Sequence, residues 1–187
     1  MTNLTFKPVF FSAFSAYTDD ANYLFRTTEI SCQEIQDRAL IVVRTHQKSV
    51  SWLKQKIQLE LPKPLQIAMA GETLCLWVSP DEFWLLLSYA DKDKLLSQNT
   101  KGDIKLVDSS GAYGLLNLSG EKSNLLLGRL IAYDIEAKLP VGKTVSTTLL
   151  QSQVVLFKNE VDSISILVRH SFANYVASAL MDAVKRI

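Results

Sequence analysis

The sequence predicts an α+β protein in which antiparallel sheets are layered and helices pack on one face of them. Three observations lead to this prediction. Hydrophobic residues make up 48% of the 187 residues, a strand–turn–strand–helix pattern recurs after Met69, and the chain closes with an amphipathic helix. The copies of the pattern share hydrophobicity and turns but no common residues, so they predict structural repeats of β-β-α units.

The first predicted unit shows the pattern most clearly. It has strands over 73–78 and 83–88, a turn around Pro80, and a helix capped near Asp91. The second unit has predicted strands over 104–107 and 113–118. A turn at 109–111 joins them, and Ser119 is expected to cap a helix that runs to Ala132.

The third predicted unit contains the strongest helix signal of the chain. Its strands are expected over 148–157 and 163–168, with a turn at 158–160, and Ser171 is expected to cap the last helix. Apolar residues spaced three or four apart form one stripe on that helix. The stripe comprises Phe172, Tyr175, Val176, Ala179, Leu180, Ala183, Val184 and Ile187.

The first part of the chain has a different character. Residues 1–28 contain many aromatic side chains without helical or alternating spacing, which predicts an extended N-terminal arm. Residues 39–43 are rich in β-branched side chains and predict a strand, and Ser49 is expected to begin a helix. The expected organisation is the arm followed by one α+β domain over 29–187, with two closely packed halves, about 29–100 and 101–187, as an alternative.

Composition and charge argue against several classes of partner. With 20 basic and 19 acidic residues the net charge is +1, so no overall field attracts nucleic acid or an anionic membrane. The apolar stretch 8–17 is too short to span a bilayer, and a structured arm is preferred over a signal peptide.

Cys32 and Cys75 are expected to be reduced structural thiols in a cytoplasmic protein.

Residue types that carry catalytic chemistry form no recognisable motif. His46 and His170 are far apart, and the glycines form neither a dinucleotide fingerprint nor a P-loop. Ser119 and Lys122 have SxxK spacing, but the cap role is preferred for Ser119. Trp77 and Trp84 flank the predicted turn at Pro80, where cross-strand core packing is preferred over a stacking platform for a pterin or flavin ring. No catalytic, cofactor-binding or metal-binding residue is therefore predicted on this chain.

Four stretches of the sequence, taken in order, resemble the sarcosine oxidase gamma-subunit family. The first is the hairpin LWVSPDEFWLLL at 76–87. The others are VDSS at 107–110 followed by LNLSG at 116–120, then DI at 134–135 with LPVG at 139–142 and TLL at 148–150, and finally LV at 167–168 with SFA at 171–173 and Tyr175. Together they follow the family's order within residues 61–187.

The resemblance implies a fold related to the folate-binding domain of aminomethyltransferases. It also implies a non-catalytic gamma-type subunit that packs on and stabilises the alpha- and beta-type flavoprotein subunits of a heterotetrameric sarcosine oxidase. Those partners would carry FAD, FMN, NAD and tetrahydrofolate, while this chain would carry no cofactor. The complex would oxidatively demethylate sarcosine to glycine, with hydrogen peroxide and formaldehyde or methylene-tetrahydrofolate as the other products.

Two alternatives to this function stay open at this point. The chain could be a stand-alone folate- or pterin-binding protein of the same fold, or the equivalent subunit of an oxidase for another N-methyl amino acid. The N-terminal arm offers candidate partner contacts, since aromatic side chains dominate protein interfaces. Phe10, Phe11 and Phe14 are the expected interface anchors.

Overall fold

Two antiparallel sheets form the centre of the computed structural model, which describes residues 12–45, 50–98 and 104–187. The six-stranded sheet has the order β1 (Tyr23–Arg26), β2 (Ser31–Glu34), β8 (Tyr113–Ser119), β11 (Ser163–Arg169), β10 (Ser152–Glu160) and β9 (Lys143–Leu149). The five-stranded sheet has the order β4 (Ile67–Ala70), β5 (Thr73–Ser79), β6 (Glu82–Leu87), β3 (Ala39–Arg44) and β7 (Lys105–Asp108). The helices are α1 (Val50–Ile57), α2 (Tyr89–Leu96), α3 (Ser123–Gly128), α4 (Ile135–Lys138) and α5 (Ala173–Val184).

The two sheets pack face to face, and the helices cover their outer faces. Successive strand side chains point to opposite sides, so each sheet contributes one face to a shared inner layer. That inner layer contains Leu40, Leu74, Leu76, Trp84 and Leu86 from one sheet, and Leu115, Val155, Phe157 and Leu167 from the other. The layered antiparallel architecture with helices on one face of each sheet is confirmed.

The outer face of each sheet has its own helix-covered core. On the five-stranded sheet, Ile41, Val43 and Leu85 pack with Leu53 of α1 and Leu95 of α2. On the six-stranded sheet the corresponding core is larger and includes Leu116, Leu118, Leu126, Ile166, Val168, Val176 and Leu180. Leu180, at the centre of the predicted apolar stripe, is completely buried, whereas Phe172 and Tyr175 at its start are 40% and 41% exposed.

The first predicted β-β-α unit is present as β5, β6 and α2. Its hairpin pairs Leu76 with Trp84 and Trp77 with Phe83. The helix begins one turn earlier than predicted, because Ser88, and not Asp91, is the N-cap. The Ser88 hydroxyl accepts a hydrogen bond from the backbone N–H of Asp91 at 3.1 Å.

The prediction that the second unit forms a hairpin is wrong. β7 pairs with β3 in one sheet, while β8 pairs with β2 and β11 in the other, so the turn at 109–111 carries the chain between sheets. The backbone N–H of Ser109 donates to the carbonyl of Leu40 at 2.8 Å, which fixes this crossing. Ser119 ends β8 and caps no helix, and α3 begins only at Ser123.

The third predicted unit begins with a hairpin that was not predicted from the sequence. The predicted strand 148–157 contains a turn at 150–151, where β9 ends and β10 begins. Leu150 adopts a φ of +50°, a conformation typical of tight turns. The β10–β11 hairpin that follows agrees with the prediction, although its turn lies at 161–162.

The described part of the predicted N-terminal arm belongs to the folded domain. Residues 23–26 form β1, which pairs with β2 at the edge of the six-stranded sheet. Phe14 is completely buried in the core below α5. Phe14 is covered by residues from distant parts of the chain, so no local periodicity marks its burial.

The sheets do not follow a division of the chain near residue 100. β1 and β2 lie in the six-stranded sheet with the later strands, while β7 completes the five-stranded sheet. The inner layer of side chains joins the two sheets directly.

Candidate functional site

A cleft of about 570 Å³ opens between the two sheets at the end where β3 and β11 finish. Its walls are apolar and come from both sheets, with Val42, Val78 and Val107 on one side and Val155 and Leu167 on the other. Polar and aromatic side chains surround this apolar surface. They are Arg44, Glu82, Trp84, Lys105, Tyr113, Gln153 and Arg169.

Glu82 organises one side of the cleft. Its Oε2 accepts a hydrogen bond of 3.0 Å from Nε of Arg44. The same oxygen lies 3.0 Å from Nη2 of Arg44, so the two side chains also form an ion pair. Its Oε1 accepts a hydrogen bond of 2.7 Å from Nε1 of Trp84. The Glu82 side chain is only 17% exposed, so these contacts replace most of its hydration. Glu82 therefore fixes both an arginine and an indole ring.

An aromatic pair connects the two sheets beside this carboxylate. The rings of Trp84 on β6 and Tyr113 on β8 have centroids 4.8 Å apart and meet edge to face at 62°. The guanidinium carbon of Arg169 lies 5.5 Å from the centroid of the Tyr113 ring, within cation–π range. The pair and its two flanking arginines, Arg44 and Arg169, form a continuous row across the cleft.

The side chains around the cleft carry an excess of positive charge. Arg44, Lys105 and Arg169 are cationic, and Glu82 is the acidic side chain among the lining residues. Among the described residues, Lys105 and Arg169 have no carboxylate within ion-pair distance. Their charges are available to attract an anion.

Sequence reasoning did not find this cleft. Arg44, Lys105 and Arg169 lie more than fifty positions apart along the chain and meet through the packing of separate strands. For Trp77 and Trp84 the sequence favoured cross-strand core packing over a shared stacking platform. Trp77 packs on the helix-covered face of the five-stranded sheet and Trp84 on the inner face, so the two tryptophans do not form a stacking platform.

The expected interface anchors have different positions. Phe10 and Phe11 lie outside the described residues. Phe14 is completely buried in the chain's own core, so its ring has no surface to offer a partner. This corrects the expectation for Phe14, which stabilises the fold.

The thiols are structural, as expected. Cys32 and Cys75 are free and buried. Burial raises the pKa of the Cys75 thiol to about 12 and that of Cys32 further still, which keeps both in the unreactive protonated form.

Other candidate groups lie apart from the cleft or outside the described part. Lys122 pairs with Glu29, and the Ser119 hydroxyl is 3.4 Å from Oδ1 of Asn117. His170 lies in a single 3₁₀ turn, and His46 is outside the described part of the chain. Within residues 12–45, 50–98 and 104–187, no three His, Cys, Asp or Glu side chains cluster as metal ligands.

None of the helices in the described part of the chain has both the length and the apolar character needed to cross a bilayer.

Several of the motif residues that carried the resemblance have structural roles. In the VDSS stretch, Asp108 accepts hydrogen bonds from the backbone N–H and hydroxyl of Ser110 at 3.0 and 2.7 Å. In the LNLSG stretch, Gly120 has a φ of +117° and lies against the backbone of Glu29 and Ile30. These contacts hold the crossing between sheets and the end of β8.

The arrangement of layers defines an α+β protein with two packed antiparallel sheets and helices on their outer faces. Glycine cleavage system aminomethyltransferase T from Bartonella henselae has a similar fold, with a TM-score of 0.64, 16% identity, and coverage of 82% of this chain and 45% of that chain. A chain of the heterotetrameric sarcosine oxidase from Corynebacterium sp. U-96, in complex with pyrrole 2-carboxylate, is more similar. Its TM-score is 0.83 at 22% identity, and the match covers 94% of each chain.

The family follows from the sequence match. Residues 44–186 match the model of the sarcosine oxidase, gamma subunit family, and the chain belongs to that family. Sarcosine oxidase subunit gamma from Corynebacterium sp. (strain U-96) is 28% identical over 117 residues. That alignment covers 59% of this chain and only 56% of the relative's length.

Proposed function

We propose that this chain is the gamma-type subunit of a heterotetrameric sarcosine oxidase and that it acts by packing on and stabilising flavin-carrying subunits. The observation that carries the proposal is the family match over residues 44–186. The structural likeness to a chain of the Corynebacterium heterotetramer, over 94% of both chains, supports it. The alpha- and beta-type partners would carry FAD, FMN, NAD and tetrahydrofolate and would oxidise sarcosine in the cytoplasm.

The chemistry of the chain's own residues supports a structural role. The two thiols are buried and protonated. Lys92 and Asp108, whose pKa values are shifted, bind each other across the fold. These thiols and this ion pair, whose pKa values are shifted, therefore serve packing and ion pairing. This suits a subunit that supplies no catalytic residue to the complex.

The pterin-binding alternative lacks the feature that would favour it. The stacking platform considered for a pterin or flavin ring required Trp77 and Trp84 on one face, and they lie on opposite faces. An oxidase for another N-methyl amino acid would use the same subunit, so the substrate is tested on the assembled complex.

The test is to express the tagged chain alone and together with alpha- and beta-type flavoprotein chains. The chain alone is expected to be colourless. The co-expressed material is expected to retain the partners and their flavin absorbance through gel filtration, and to oxidise sarcosine faster than N-methylalanine. Stoichiometric flavin on the isolated chain, or failure of the flavoprotein chains to co-purify, would contradict the proposal.

A further inference from the structure

We infer that the cleft between the two sheets binds a small organic anion with a flat apolar body, of which an aromatic carboxylate is the simplest example. The proposed function assigns no ligand to this chain, so this inference goes beyond it. The inference rests on the size of the cleft, its apolar walls and the arrangement of its charges.

The size and walls of the cleft suit a small molecule. Its volume of about 570 Å³ lies within the range of small-ligand sites, roughly 300 to 1,000 Å³. Both sheets contribute apolar side chains to the lining. Val107 is 51% exposed and would supply most of the apolar surface that a ligand covers, while Val155 and Leu167, at 5% and 2% exposed, form the floor of the cleft.

The charges of the cleft select an anion. Glu82 already neutralises Arg44 through two contacts of 3.0 Å. Lys105 and Arg169 also line the cleft, and neither forms an ion pair with another described residue. An arginine can bind a carboxylate through two parallel hydrogen bonds, so Arg169 is the expected primary contact.

The polar groups are held in place before a ligand arrives. The ring of Tyr113 lies below the Arg169 guanidinium at 5.5 Å and edge to face with Trp84 at 4.8 Å. Trp84 is in turn fixed by its 2.7 Å hydrogen bond to Glu82. Such preorganisation lowers the entropic cost of binding.

An acidic peptide from a partner protein would also be attracted by these charges. The apolar lining favours the small molecule, because a peptide would have to bury its backbone N–H and C=O groups against valine and leucine side chains.

The probe is 2-naphthoate, with the neutral 2-naphthamide as its uncharged counterpart, and the protein is the full-length chain. Titrations are followed by NMR through the indole N–H signal of Trp84, which is assigned with the variant Trp84→Phe. The site variants are Arg169→Gln and Lys105→Gln. Arg26→Gln is the matched control, because Arg26 also lies over a tyrosine ring, Tyr23 at 3.7 Å, but does not line the cleft.

We expect 2-naphthoate to bind with a Kd below about 1 mM and to shift the Trp84 signal. Arg169→Gln should weaken binding about tenfold or more, Lys105→Gln should weaken it less, and Arg26→Gln should leave it unchanged. Melting temperatures equal to that of the unchanged chain would show that the variants are folded.

Three results would overturn the inference. They are equal binding of 2-naphthamide, equal loss of binding in the Arg26 variant, and a Trp84 signal that responds to a glutamate-rich peptide but not to 2-naphthoate. Each of these outcomes is independent of whether the chain assembles with flavoprotein subunits.

Discussion

The ammonium group of Lys92 on α2 lies 2.9 Å from Oδ2 of Asp108 at the end of β7. This ion pair joins a helix on the outer face of the five-stranded sheet to the segment that crosses to the other sheet. Asp108 also accepts two hydrogen bonds from Ser110, whose hydroxyl accepts a hydrogen bond of 3.0 Å from the backbone N–H of Leu40. One carboxylate therefore stabilises the crossing, the helix and β3 together.

The first prediction concerns this carboxylate at neutral pH. Asp108→Asn should lower the free energy of unfolding by about 1 to 2 kcal/mol, because it weakens a charge-assisted hydrogen bond at a partly exposed site. Urea unfolding at pH 7 measures the change. Asp182→Asn is the control, since the Asp182–Arg186 pair is more than half exposed on both sides and should contribute less than about 0.5 kcal/mol. Equal effects of the two substitutions would contradict the role given to Asp108.

The second prediction concerns the pH dependence of the same pair. Burial raises the pKa of Asp108, but hydrogen bonds from Ser110 and Lys92 outweigh burial and hold the pKa below its usual value. A carboxyl with a lowered folded pKa stabilises the protein fully above the unfolded pKa, about 4, and loses this contribution as the pH falls through the folded pKa.

The Lys92 side of the pair has the opposite sign. Its hydrogen bond to Asp108 raises the pKa of Lys92, against the lowering effect of burial. This contribution is complete below the unfolded pKa, about 10, and is lost as the pH rises through the folded value. The stability difference between the unchanged chain and Asp108→Asn should therefore be constant from about pH 5 to 9 and smaller near pH 2. A difference that does not change at acidic pH would contradict this assignment.

The third prediction concerns Gly120 in the LNLSG stretch. Its φ is +117°, and an added Cβ would overlap the backbone oxygen of Glu29 and lie 2.9 Å from Cα of Ile30. Because these are backbone atoms, they cannot move aside cheaply. Gly120→Ala should therefore lower the free energy of unfolding by about 3 kcal/mol or more, since it adds a backbone clash to the usual strain of about 1 to 3 kcal/mol. Gly111→Ala, where an added Cβ would meet nothing within 4 Å, should change stability by less than about 0.5 kcal/mol.

The fourth prediction separates folding from docking among the N-terminal aromatic residues. Phe14→Ala should lower the free energy of unfolding by about 3 to 5 kcal/mol, since it removes a completely buried ring.

Replacing Phe10 and Phe11 by Ala tests whether they contact a partner. We expect that double variant to weaken co-purification of flavoprotein chains, as scored by the fraction retained on a tagged column. Retention equal to that of the unchanged chain would place the interface elsewhere.

Local features of the fold could be predicted from the sequence, and long-range ones could not. The β5–β6 hairpin was found because its pattern and turn lie within fifteen consecutive residues. The pairing of β7 with β3 and of β8 with β2 depends on contacts across more than sixty positions, which no local pattern encodes. The burial of Phe14 escapes prediction for the same reason, because its ring lies against Gly114 and belongs to a core that includes residues of β8, β11 and α5.

The candidate site was even harder to predict from the sequence, because its residues are far apart along the chain. Lys105 and Arg169 read as ordinary exposed cations at strand ends. The pairing of β11 with β8 places Arg169 opposite Tyr113, and the packing of the two sheets brings Lys105 to the same cleft. The sequence indicated the family through motifs such as VDSS and LNLSG. In the structure Asp108, Ser110 and Gly120 in those motifs stabilise the fold, while Val107 and Ser109 of VDSS line the cleft.

The measurement that tests the proposed function most directly is native mass spectrometry of the chain co-expressed with alpha- and beta-type flavoprotein chains. We predict a single complex in which one copy of this 21.0 kDa chain is joined to the flavoprotein chains and is released only under denaturing conditions. A spectrum in which this chain is found alone, or only in assemblies with its own copies, while the flavoprotein chains assemble without it, would contradict the proposal.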